Sequence, residues 1–153
     1  MSSSLRRRTP LRSSRKVPRS RRVDTAIAGR CARCPRPATI LQWCRGCAAA
    51  VADERQSRFV RARDERCVRC GTRSDLTMAH ILGRGAYPRL RFDERNVKAA
   101  CWDCHQLLDG NPAYKERFFE DLHPGLQSML RDLARRLPRV DLVEILERYG
   151  AAA

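Results

Sequence analysis

At 153 residues the chain has room for one or two small domains and no large core. Its formal charge of +15 and pI near 10.7 point to a polyanionic partner, with nucleic acid ahead of a membrane surface. The sequence has no long apolar run and no signal-peptide h-region, so neither membrane insertion nor secretion is expected, and a reducing cytoplasm is the expected compartment.

Met1 to Val23 is Ser, Arg and Pro, with nine Lys or Arg residues and no acid, which leaves +6 of the +15 for the remainder. The spacing predicts a disordered basic tail over 1–23 that touches phosphates without reading sequence; a merely solubilising tail is the alternative. All eight cysteines then fall in four C-x2-C pairs: Cys31/Cys34, Cys44/Cys47, Cys67/Cys70 and Cys101/Cys104. Pairs at this spacing fill neighbouring corners of a tetrahedral Zn²⁺ site, and without a secretory context metal is favoured over disulfides. Two structural zinc ions are expected.

Residues 24–50 read as a zinc ribbon, with Pro35 and Pro37 breaking helix and Thr39–Trp43 forming a short strand. Trp43 is expected to pack over the zinc site. Whether the ribbon touches DNA or protein, or only staples its own loop, stays open on spacing alone. Residues 48–65 are rich in Ala, Arg, Glu and Gln and lack Gly and Pro, which predicts a linking helix (about 51–66) burying Val51, Phe59 and Ala62. Its Arg58, Arg61 and Arg63 either line DNA or form a solvated face.

Between the last two knuckles, Leu76–Ile81 reads as one strand and Phe92–Lys98 as its return. Gly83 and Gly85 let the chain turn closely around a ligand, and Arg84, Arg89 and Arg91 are candidate DNA-phosphate contacts. A helix is expected from about Cys101, with Trp102, Leu107 and Leu108 in the core. Beyond Asn111, three helices are predicted: one from Pro112, one from Pro124 and one from Asp141. Their apolar stripes (Leu126, Leu130, Leu133; Leu142, Ile145, Leu146) serve a core or a homodimer surface, and His123 is expected at the surface or in a cap.

The pieces R-x-R-D-E-R-C-V-R-C-G, A-H, L-R-F-D-E-R-N-V, C-W-D-C and L-x-G-N, followed by Tyr114, run from Arg61 to Leu122. Together they resemble the phage NinG/Rap recombination endonucleases, within the His-Asn-His (HNH) nuclease superfamily. That resemblance implies an α+β fold: a zinc-clamped ββα-metal core over 67–122, an upstream zinc ribbon, and C-terminal helices over 123–153. It implies metal-dependent DNA cleavage at branched or recombination intermediates in a bacterial host cell. His80 would be the general base, its unperturbed pKa lying near working pH. Asn96 would hydrogen-bond and orient it, and His105 would hold a catalytic Mg²⁺ or Mn²⁺. Ala79 stands where many of these nucleases carry an acidic ligand, so oxygen ligands would come from Asp93, Asp109, Asn111, water or phosphate. The alternatives are a hairpin-turn role for Asn96 and a zinc-ligand role for His105. For the whole chain they are a DNA-binding recombination accessory protein without nuclease activity, or a zinc-stapled protein-interaction module.

Overall fold

A computed structural model describes residues 29–150, and the basic tail expected over 1–23 lies outside them. The first helix, α1 (Arg45–Asp64), begins inside the second knuckle. Cys44 is its extended N-cap and Cys47 lies in its first turn. The expected start near residue 51 is therefore too late, because the backbone enters the helix as soon as the knuckle closes, with Ala48 N–H donating to Cys44 O at 2.9 Å. The third and fourth knuckles repeat this construction. Cys101 is the extended N-cap of α2 (Trp102–Gly110), and Cys104 lies in its first turn.

Two strands, β1 (Leu76–His80) and β2 (Val97–Cys101), pair antiparallel from Leu76 opposite Cys101 to His80 opposite Val97. The return strand thus starts later than the expected Phe92. The preceding residues form two 3₁₀ turns, Pro88–Leu90 and Glu94–Asn96, and the Asp93 carboxylate caps the second by accepting from Arg95 N–H. A local side-chain acceptor of this kind competes with strand pairing.

Helix α1 lies across the hairpin. Val60 is buried with Val97 and Ala99, while Ala62 is exposed, so Val60 and Gln56 take the buried places expected for Ala62. Arg63 donates to Glu94 O (3.0 Å) and Val97 O (2.9 Å), and Asp64 accepts Ala99 N–H at 2.7 Å. Arg63 therefore binds protein backbone and is not part of a free DNA-facing row.

Helices α3 (Pro112–Leu122) and α4 (Leu126–Arg136) close a second core in which Leu90, Leu108, Phe119 and Leu130 are fully buried. Helix α5 (Leu142–Arg148) turns back onto α1, burying Ile145, Leu146 and Tyr149 against Val51, Ala52 and Phe92. Arg55 ties the two helices by donating to Leu146 O at 2.7 Å. The C-terminal stripes thus pack largely into the core of the chain, with Leu126 and Leu133 half-buried and Met129 41% exposed. Trp43 is buried in the same cluster as Cys31 and Cys44, as expected. Trp102 and Leu107 are not core: they are 57% and 42% exposed, because α2 turns Cys104 and Leu108 inward and those two positions outward. No helix among the described residues is long and apolar enough to cross a membrane.

Candidate zinc centres and catalytic cleft

Each cysteine tetrad brings its four sulfurs within 4.8 Å of one another: Cys31, Cys34, Cys44 and Cys47 in one, Cys67, Cys70, Cys101 and Cys104 in the other. The Sγ···Sγ separations of Cys34–Cys44, Cys34–Cys47 and Cys70–Cys101 are 3.6, 3.7 and 3.7 Å. Tetrahedral Zn–S bonds of about 2.3 Å place sulfurs about 3.8 Å apart, whereas a disulfide holds them at about 2.0 Å. All eight cysteines are free thiols. The donor sets fit Zn²⁺, and the protonation pattern agrees. Burial, with neighbouring thiols, pushes Cys104 up to about 12; against the opposing effect of burial, backbone N–H groups lower Cys67 to about 6. Four sulfurs this close cannot all ionise without a cation among them.

The second tetrad clamps the hairpin to α2, and Arg69 carries the clamp onto α3. Its guanidinium reaches Cys104 Sγ (3.5 Å) and Tyr114 Oη (3.1 Å). Beside this clamp opens a cleft of about 670 Å³, lined among others by His80, Arg84, His105, Asp109 and Lys115. Asn111 does not line it. Asn111 is the N-cap of α3, accepting Tyr114 N–H at 3.0 Å, and Asp93 is occupied by Arg95. Of the three oxygen donors proposed from sequence, only Asp109 faces the cleft.

The ring of His80 is held at one nitrogen. Nε2 lies 3.0 Å from Arg91 O, and a carbonyl only accepts, so Nε2 carries the proton and Nδ1 the lone pair. Nδ1 has no hydrogen-bond partner among the described residues. Burial pushes the His80 pKa below its ordinary value, outweighing the raising effect of the Arg91 carbonyl, with Arg84 adding to the depression. A neutral imidazole with one free lone pair follows. Asn96, fully buried, does not orient this ring as expected: it accepts Leu82 N–H at 2.8 Å and donates to Leu82 O (3.0 Å) and Leu90 O (3.2 Å). It laces the loop between the strands, which explains a buried carboxamide at that position.

His105 is placed by Thr77. The Thr77 hydroxyl donates to Ala100 O (2.9 Å), so it accepts from His105 Nδ1–H, also at 2.9 Å. His105 Nε2 then faces Asp109 Oδ2 at 3.1 Å, while Lys115 Nζ holds Asp109 Oδ1 at 2.7 Å. Burial opposes ionisation of Asp109, but Lys115 and His105 outweigh it and keep the carboxyl below its usual range. A lone pair and a carboxylate pointed at each other need either a second proton or a cation between them. Among the described residues only the cysteine tetrads bring three or more metal-donor residues within 4.8 Å, so His80 does not join His105 and Asp109 in one cage.

The predicted phosphate contacts divide. Arg84 is well exposed at the cleft, with a loose contact to Asp53 at 3.5 Å. Arg91 is committed to Asp53 through two hydrogen bonds, Nε–Oδ1 being 3.1 Å, and Arg89 donates to Arg135 O at 3.3 Å. Sequence reasoning missed Asp53, Thr77 and Lys115. Asp53 lies 38 positions from Arg91 and carries no local signal. Thr77 could have been found from strand alternation, which turns it towards the α2 side of the hairpin.

A family model described as "Bacteriophage Lambda NinG protein" matches residues 49–120. Protein ninG of Escherichia phage 933W and of Salmonella phage P22 are each 40% identical over 67 residues, covering 39% of this chain and 32% of theirs. Protein ninG of Escherichia phage lambda is 39% identical over 67 residues, covering 31% of its length. The chain therefore spans about a third of the length of these curated relatives. No solved structure matches. The matched stretch takes in most of α1, the hairpin, α2 and most of α3, and with them the second tetrad and all of the cleft lining except Gln127 and Arg131 of α4.

Proposed function

We propose that this protein is a metal-dependent DNA endonuclease of the HNH type, acting at branched or recombination intermediates. The observation that carries the reading is His80: a neutral imidazole with its proton fixed on Nε2 by Arg91 O and its Nδ1 lone pair unengaged, on the wall of a cleft that also holds Arg84 and His105. That is the state a general base must have before it takes a proton from water. Arg84 would hold the phosphate, and the loop laced by Asn96 would keep the His80 ring from drifting. His105 Nε2 and Asp109 Oδ2, 3.1 Å apart, suit two adjacent octahedral ligands, which at about 2.1 Å from Mg²⁺ or Mn²⁺ lie about 3.0 Å from each other. Such an ion, completed by water and phosphate, would supply Lewis-acid stabilisation of the leaving 3′-oxygen. The preference for branched DNA rests on the resemblance carried by the motifs between Arg61 and Leu122 and on no contact in the cleft.

One observation favours a second reading, a zinc-bound DNA-binding accessory protein without cleavage. Lys115 already neutralises Asp109, and Ala79 offers no carboxylate beside His80, so the cleft has few anionic donors for a divalent ion. Incubating linear, flapped and four-way DNA with the zinc-loaded protein, with and without Mg²⁺ or Mn²⁺, decides between them. Nicking that requires the added ion supports the endonuclease; tight binding without any cut, in either metal, supports the accessory protein.

A further inference from the structure

Outside the cleft lies a second concavity of about 470 Å³, walled by Arg58 and Arg61 of α1, by Arg73 and by Leu76. Among the described residues Arg33, Arg63, Arg91, Arg95, Arg131 and Arg148 sit in close ion pairs. Arg58, Arg61 and Arg73 form none among the described residues, and Arg61 spends only its Nε, on Ser57 O at 3.2 Å. Arg58 and Arg61 are three apart on a helix, hence neighbours on one face. Three guanidinium groups without an ion-pair partner among the described residues thus line one hollow with a single acid, Asp75, which leaves it net cationic.

Trp102 is joined by its backbone to the wall of this hollow. Its backbone N–H donates to Asp75 O at 3.1 Å, and Asp75 lines the hollow. Its indole is 57% exposed, although the neighbouring Cys101 and Cys104 are buried. A large aromatic left in water beside a cationic groove offers a π-face for a planar partner. Asp75 is the acid in the lining, and it opposes phosphate at that end but not base stacking.

We propose that this groove holds an unpaired stretch of nucleic acid, with phosphates on Arg58, Arg61 and Arg73 and a base stacked on Trp102. Arginine-tracked backbone plus an aromatic platform is how single strands are bound without sequence preference. The inference rests on the nucleic-acid reading above and deepens it: the cleft takes the strand to be cut, and the groove takes the unpaired strand that a branch exposes.

The test measures binding of labelled oligo-dT by the full zinc-loaded chain, with salt titration and tryptophan emission. The chain has two tryptophans, and Trp43 is 8% exposed, so quenching by oligo-dT reports Trp102. Arg58→Gln, Arg61→Gln and Arg73→Gln together are expected to weaken oligo-dT binding by tenfold or more. They should make the log–log salt slope shallower by about 2, since each phosphate on a single strand contributes about 0.7. Trp102→Ala is expected to lose at least fivefold and Trp102→Phe much less, both abolishing the quench. A control with the same loss of charge, Arg36→Gln, Arg117→Gln and Arg139→Gln, separates the groove from general electrostatics. Equal losses in control and groove variants, or wild-type affinity in Trp102→Ala, overturn the proposal. So does an equal loss for duplex DNA, or polyglutamate binding as tight as oligo-dT. If the groove binds oligo-dT as described and the protein cuts nothing, the endonuclease reading falls alone; if the groove variants bind as wild type while cleavage persists, the groove falls alone.

Discussion

His80 and Asn96 are adjacent in the argument from sequence, yet they do different physical work. Replacing His80 by Ala removes a neutral imidazole whose Nδ1 has no partner among the described residues, and positioned base catalysis is worth about 10² to 10⁴ in rate. Cleavage should fall by that factor while zinc content and DNA affinity stay near wild type, as single-turnover assays on a four-way junction would read. Because burial holds the His80 pKa below 6.5, the acidic limb of the pH–rate profile should lie below that value. Linkage has the same sign. The unfolded chain takes up this proton from about pH 6.5 downwards and the folded chain resists it, so His80 costs stability as pH falls through that window. His80→Gln should flatten that dependence. Asn96→Ala should act mainly on folding. It strands Leu82 N–H and Leu82 O in a fully buried place, while Leu90 O keeps Asp93 N–H, and each unsatisfied buried group costs about 1–3 kcal/mol. Denaturant unfolding should therefore show a loss of roughly 3 kcal/mol; wild-type stability with slowed cleavage would restore the orienting role expected from sequence.

At the level of elements, the cysteine spacing made both cysteine tetrads legible, because a C-x2-C pair is a local geometric statement. The hairpin and all five helices were legible from periodicity and caps, since these too are decided within a few residues. What was not legible depends on long-range contact. The start of β2 depends on how the 81–96 loop folds on itself, and the exposure of Trp102 depends on which side of α2 meets the hairpin. Asp53 is the clearest case. It sits on the helix that leaves the first tetrad and grips Arg91, whose carbonyl holds His80. This makes α1 a strut between the upstream zinc module and the cleft. Charge-assisted hydrogen bonds of this kind contribute about 1.5–3 kcal/mol, and partial exposure of both partners discounts that. Asp53→Ala is expected to lower stability by about 1 kcal/mol and to slow cleavage more than it weakens DNA binding, because a loosened Arg91 lets the imidazole rotate. An unchanged rate in Asp53→Ala would mean that Asn96 and the strand pairing alone position His80.

Over the described residues as a whole, α5 packs against α1, and the upstream cysteine tetrad shares its core with residues from the far end of that stretch. Leu142, Ile145, Leu146 and Tyr149 are buried in one cluster with Cys31, Cys44, Val51 and Phe92. Full burial of each such side chain is worth roughly 1.5–3 kcal/mol. The second tetrad takes no part in that cluster; its neighbours are Ala79, Ala100 and Val68. The two zinc sites should therefore depend on the C-terminus unequally. Deleting residues 139–153 is expected to leave two zinc ions per chain at saturation but to make one of them labile. Transfer of that zinc to a chromophoric chelator should speed up by tenfold or more, while the other leaves at the wild-type rate. Substituting Cys31→Ser in the full-length chain should remove the zinc that became labile, and Cys70→Ser the other. The physical reason is that a zinc ligand leaves only when its knuckle opens, and α5 is what holds α1 over the first knuckle pair. If truncation accelerates both zinc ions equally, the two modules unfold as one cooperative unit and the division drawn from the core clusters is wrong.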